Sequence, residues 1–79
     1  MSLAVIAEII VDTVHCNRED VVAEARLADL GVDSLKAITI LYELEERFDI
    51  EIPNEAIGEI RTVSDIQAKV EQLRAATAA

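Results

Sequence analysis

The chain has little of what many small proteins use for chemistry or for staying folded. It holds one cysteine, Cys16, so no internal disulfide can form, and one histidine, His15, so it cannot build a zinc site by itself. Tryptophan is absent and aromatics make up 3% of residues, which argues against a stacking platform for single-stranded nucleic acid. Two glycines and one proline are too few turn-formers for many short strands. The longest apolar run, Leu3 to Ala7, falls far short of the roughly 20 residues that span a bilayer. The first residues carry no basic segment and Glu8 interrupts their apolar run, so no secretory signal is expected. Basic residues are also scarce. Seven against sixteen acids leave a net charge of −9, which repels phosphate backbones and anionic membranes and attracts basic protein patches. Neither nucleic-acid binding nor membrane insertion is expected, and the expected setting is a reducing cytoplasm.

What is present is apolar and helical. The 79 residues make one domain, 1–79, and 52% of them are hydrophobic, too many for a disordered chain. So small a core argues against most self-sufficient enzymes. Leu3, Ile6, Ile10 and Val14 recur at helical spacing behind Ser2 as a cap, predicting a helix over about 3–14. Periodicity then weakens over 15–33, a long connection whose Val22, Leu27, Leu30 and Val32 are expected to plug into the core, with Gly31 making a sharp turn. Asp33 is a good N-cap for the strongest helical stretch, 34–48. Its apolar residues Leu35, Ala37, Ile38, Ile40, Leu41, Tyr42, Leu44 and Phe48 cover more than half the circumference. Such a helix is either packed on several sides or leaves apolar surface for a partner. Residues 48–53 alternate like a strand but have no partner strand, and are expected to be an extended loop. Pro53 and Asn54 open a short helix over about 55–60. Thr62 and Asp65 resemble a capping box ahead of a last helix over 63–75, and the tail Ala75 to Ala79 is expected to fray. The expected fold is all-α, a small four-helix bundle of three longer helices and one short one, with a long ordered first loop.

The candidate chemistry is sparse. Ser34 sits in Gly31-Val-Asp-Ser-Leu-Lys36 rather than in a G-x-S-x-G elbow, and nothing in the spacing brings His15 to it as a base. Cys16 beside His15 reads as a half-buried thiol and a solvated imidazole, because adjacent side chains point apart. Glu43, Glu45 and Glu46 lack the spacing of a calcium loop and read as a wet helix face. Ser34, at a helix N-terminus whose free N–H groups and dipole favour an anion, is either a simple helix start or a passive attachment point for a phosphate-bearing group.

The run Asp29-Leu-Gly-Val-Asp-Ser-Leu35, followed by Leu44-Glu-Glu-Arg-Phe48, Glu51-Ile-Pro53 and Thr62-Val63, with Val21 to Leu27 ahead of it, resembles the acyl carrier proteins over nearly the whole chain. The resemblance implies that a phosphopantetheinyl transferase attaches 4'-phosphopantetheine from coenzyme A to Ser34. It implies that Asp33 belongs to the motif this transferase recognises, and that the arm's thiol carries acyl groups as thioesters. The chain would then be a monomeric carrier rather than an enzyme, visited by acyl-transferring and chain-elongating enzymes with basic docking patches. Residues 29–60 hold nine acids against two bases, so most of the excess charge surrounds Ser34 and would steer such partners. The implied partner surface comprises Leu35, Lys36, Ile38, Thr39, Tyr42, Glu43, Glu45 and Glu46, with Ile40, Leu41, Leu44 and Phe48 as core. Lys36 and Thr39 stand where carriers of ordinary fatty acid synthesis commonly have acids, which points to a specialised member. Alternatives are a peptidyl or polyketide carrier domain and an unmodified acidic interaction module.

Overall fold

The computed structural model describes the backbone of residues 2–78 and the side chains of residues 3–75. Three α-helices, α1 (Ser2–Val14), α2 (Ser34–Phe48) and α3 (Val63–Ala78), pack against one another, with α1 touching both of the others. Short 3-10 helices occupy Arg18–Asp20, Ala28–Leu30 and Asn54–Glu59, and no strand occurs among the described residues. The predicted bundle is therefore present. The Ser2 side chain expected to cap α1 lies outside the described residues.

The core is aliphatic. Ile6, Ala7, Ile9 and Ile10 of α1 meet Ile40, Leu41 and Leu44 of α2 and Val63, Ile66 and Val70 of α3, all buried. Burying each such Ile, Leu or Val contributes about 1.5–3 kcal/mol, which a small bundle with a single cysteine, and so no internal disulfide, depends on. Two of the helices stop on residues in the left-handed conformation without using glycine. His15 (φ 59°) follows α1 and Asp49 (φ 55°) follows α2, their N–H groups donating to the carbonyls of Val11 and Glu45. His15 is exposed and Cys16 half-buried.

The long connection is ordered by burial and by backbone pairing. Leu27 and Val32 are buried and Leu30 half-buried, as expected, but Val22 is 47% exposed and the buried residue is Val21. The tight turn after Arg18–Asp20 swaps which of two adjacent valines faces inward, and without periodicity nothing in the spacing distinguishes them. An antiparallel bridge joins Arg26 to Thr62. Leu27 N–H donates to Arg61 C=O (2.9 Å), Val63 N–H to Ala25 C=O (3.0 Å) and Ser64 N–H to Ala23 C=O (2.9 Å), so the loop is stitched to the start of α3.

Two further departures concern the second half of the chain. The short helix begins one residue earlier than expected and is of the tighter 3-10 type, and α3 continues as helix three residues beyond Ala75. Of the 48–53 stretch expected to be an extended loop, Phe48 ends α2 and Asp49 is left-handed, so the loop is confined to 50–53, where Pro53 is extended. This loop is held by a contact that composition hides: Glu45 Oε2 accepts the Ile52 N–H at 2.7 Å. Glu45 is thus half-buried on the flank of α2 and fixes the exit loop.

The capping box at α3 is present with aspartate in the acidic position. Asp65 Oδ2 accepts from Arg61 N–H (3.0 Å) and Thr62 N–H (3.1 Å), and Asp65 N–H donates to Thr62 Oγ1 (3.2 Å). The Arg61 N–H first, then the Thr62 N–H, hold the Asp65 carboxyl below its ordinary value.

Replacing Glu45 with alanine orphans a largely buried N–H and should cost about 1.5–3 kcal/mol in urea unfolding, with Glu45→Gln costing less. Asp65→Ala should cost about 1 kcal/mol at pH 7. Because the folded pKa lies below the unfolded one near 3.9, this contribution is present above about pH 4 and is lost as pH falls through the folded value. The gap between Asp65→Ala and the wild type in unfolding curves should therefore narrow at pH 3.

Candidate functional site

The site is the turn into α2. Gly31, at φ +92°, takes the left-handed conformation that closes the Ala28–Leu30 turn, and Val32 N–H returns to Leu27 C=O at 3.0 Å while its side chain enters the core. Asp33 then caps α2: its Oδ1 accepts the Lys36 N–H at 2.8 Å and its carbonyl accepts the Ala37 N–H at 2.8 Å. Ser34 is the first helical residue and is exposed, and its hydroxyl makes no hydrogen bond to another described residue. A nucleophile-activating base is thus missing from the described surroundings of Ser34, and the groups near its Oγ are the positive end of a helix of 15 residues. Among the described residues no cluster of His, Cys, Asp or Glu could hold a metal.

The eight residues implied as partner-facing do not share one surface. At 100° per residue, Leu35, Ile38, Thr39, Tyr42 and Glu46 fall within about 100° of the α2 circumference, away from Ile40, Leu41 and Leu44. All five are exposed, Leu35 at 75% and Tyr42 at 64%. The open question about α2 is settled in both directions: it packs on two helices and still leaves an apolar strip outward. Thr39 spends its hydroxyl on Leu35 C=O at 3.3 Å. Lys36 and Glu43 lie on one flank, where Glu43 lines a shallow groove with Asp12, Thr13 and Arg47 between α1 and α2. Arg47 also pairs with Glu8 of α1 at 3.7 Å. Glu45, on the opposite flank, belongs to the exit loop as described above.

A second feature was not visible in the sequence. Ser34 and Asp33 sit at the rim of a groove lined by Arg26, Leu27, Val32, Ala37, Ile57, Ile60 and Arg61. Its floor continues into an apolar recess of about 20 Å³ that reaches Ile40, Leu41 and Ile66. These residues come from three separated segments, so no spacing rule could group them. The one available hint was that Ile57 and Ile60 are apolar in a stretch otherwise rich in acids.

Comparison with known proteins agrees with this geometry. Residues 4–70 match the family model described as the phosphopantetheine attachment site. The acyl carrier protein of Wolinella succinogenes is 40% identical over 67 residues, covering 84% of this chain and 88% of that protein. That of Syntrophobacter fumaroxidans is 44% identical over 62 residues, covering 77% and 76%. The crystal structure of the acyl carrier protein from Thermotoga maritima superposes with a TM-score of 0.81 at 29% identity, covering 91% of this chain and 85% of that one. An exposed, unengaged hydroxyl at a helix N-terminus fits a covalently attached phosphodiester, which needs access and a favourable end of a dipole. The chain belongs to the acyl carrier protein family, whose members carry acyl groups on covalently attached 4'-phosphopantetheine.

Proposed function

We propose that Ser34 is the attachment residue, and that the chain works as a cytoplasmic monomer delivering acyl thioesters to enzymes of fatty acid, specialised lipid or polyketide biosynthesis. The observation that carries the reading is the exposed, unpartnered Ser34 hydroxyl at the first position of α2, inside the Asp29 to Leu35 motif. Ser34 Oγ attacks the pantetheine-side phosphorus of the coenzyme A pyrophosphate, so that a phosphodiester forms at Ser34 as the P–O–P bond breaks and adenosine 3',5'-bisphosphate leaves. The hydroxyl proton goes to a base on the transferase, since no group among the described residues is hydrogen-bonded to that hydroxyl. The arm supplies the thiol; the protein supplies the anchor and the address. Asp33 serves twice, holding the helix start in place and presenting a carboxylate beside the hydroxyl.

The address is the outward strip of α2. Leu35, Ile38 and Tyr42 offer apolar contact, while Glu43 and Glu46 with the other acids of residues 29–60 attract a basic rim. Such encounters are fast, salt-sensitive and weak enough to release. Lys36, half-buried on the flank of the first turn, and Thr39, on the strip, leave the first turns of α2 after Ser34 without acids. We propose that this restricts the partners to a specialised set.

Incubation with coenzyme A and a phosphopantetheinyl transferase should add one arm to the wild type by intact mass and none to Ser34→Ala, whose unfolding should stay within about 0.5 kcal/mol of wild type. An unmodified wild type would leave only the acidic interaction module. In turnover assays of the modified protein, Tyr42→Ala should slow acyl transfer to its own partners with little loss of stability. Lys36→Asp combined with Thr39→Glu should speed elongation by the ketosynthase of ordinary fatty acid synthesis. If that ketosynthase already elongates on the unaltered chain as fast as on its own carrier, the restriction does not exist.

A further inference from the structure

Seven basic residues are spread through a chain with sixteen acids, and three of the seven have a visible occupation. Arg47 pairs with Glu8, Lys69 pairs with Glu59 at 3.2 Å, and the Arg74 guanidinium lies over the Phe48 ring at 5.2 Å. Arg26 and Arg61 form no such ion pair with a described residue, yet both line the groove that starts at Ser34. They are brought there by the backbone pairing of the long loop with the start of α3, in which Leu27 N–H donates to Arg61 C=O beside the Arg26–Thr62 bridge. Two nearby acids are already engaged. Asp33 directs Oδ1 at the Lys36 N–H, and Asp65, which feels the Arg61 charge, gives Oδ2 to two backbone N–H groups.

Residues 26–61 hold nine acids and four bases, and two of those four bases, Arg26 and Arg61, line a groove whose one lining carboxylate is the engaged Asp33, a local reversal of sign. Planar guanidinium groups suit oxyanions of phosphorus, with which they form paired charge-assisted hydrogen bonds. The groove floor, Leu27, Val32, Ala37, Ile57 and Ile60, is apolar and suits an uncharged chain leaving that anion.

We infer that Arg26 and Arg61 form an oxyanion site for the phosphodiester of the chain's own arm, laying the arm's first segment along this groove. The inference rests on attachment at Ser34, which places the diester at the groove rim, and goes beyond it by assigning the arm a resting path. Ala37, on the groove side of α2, lies well round the helix from the Leu35, Ile38 and Tyr42 strip, so a stowed arm leaves the docking strip open. A partner would bind the strip first and then draw the arm off the arginines.

The test uses intact protein before and after arm attachment, with intact mass confirming that the arm is on. If no arm is added, attachment itself has failed and this site is not reached. With the arm on, the Arg26 and Arg61 side-chain N–H resonances in nitrogen–proton spectra should shift between apo and modified protein. The shift should shrink in 1 M salt, where charge interactions are screened within about 3 Å. Resonances of Arg18, which does not line the groove, should stay in place. Attachment should also raise the thermal midpoint of the wild type, and this gain should vanish in the Arg26→Gln, Arg61→Gln double variant. Unchanged arginine resonances on attachment, or an equal gain in the double variant, would overturn the site. So would arginine shifts that occur only when a cargo with a free carboxylate, such as a malonyl-type half thioester, is loaded on the arm.

Discussion

A hydroxyl can be modified by another enzyme only if it is held still and left uncovered, and the turn into α2 meets both demands with three adjacent residues. Gly31 takes a conformation that costs other residues strain, Val32 anchors the turn by burial, and Asp33 ends it by capping the helix. Ser34 follows with its side chain free. Had the capping oxygen come from Ser34 itself, the hydroxyl would be engaged by the backbone and less available to a visitor. The division of labour between Asp33 and Ser34 is what makes the site.

Charge sets the second constraint. A net charge of −9 on a body of 11.5 Å radius of gyration repels itself and weakens the compact state, and the ion pairs that could offset it are exposed and worth little. Stability therefore rests on the aliphatic core, in which Ile6, Ile10, Ile40, Leu44 and Val70 are almost wholly excluded from water. In exchange the surface of α2 carries an acidic field beside an exposed apolar strip, the combination on which the proposed docking of basic partners rests. The arginine-lined groove interrupts that field on the opposite side of Ser34 from the strip. The proposed steering and stowage thus use different sides of one helix.

Much of this was legible beforehand. The limits of α2, the Asp33 cap and the Thr62–Asp65 box are local devices, each carried by residues within one turn of one another, and the structure places them where the spacing does. The separation of Ile40, Leu41 and Leu44 from Leu35, Ile38 and Tyr42 follows from the helical period once the core side is chosen. Val22 failed because the loop has no period to choose between neighbours. Glu45 was misread as one of a row of wet acids because its partner, the Ile52 N–H, is a backbone group that no composition argument can see.

The chain's own order of residues thus determined the class of fold, the helix that carries Ser34 and the exposed strip beside it, because helical periodicity and capping act over a few residues. Only the folded whole decided which valine of the long loop is buried, that a glutamate on α2 secures the loop beyond it, and that Arg26 and Arg61 share a groove with Ser34. Those depend on backbone hydrogen bonds between segments far apart in the chain, whose register is set by packing of all three helices at once and is written in no single stretch.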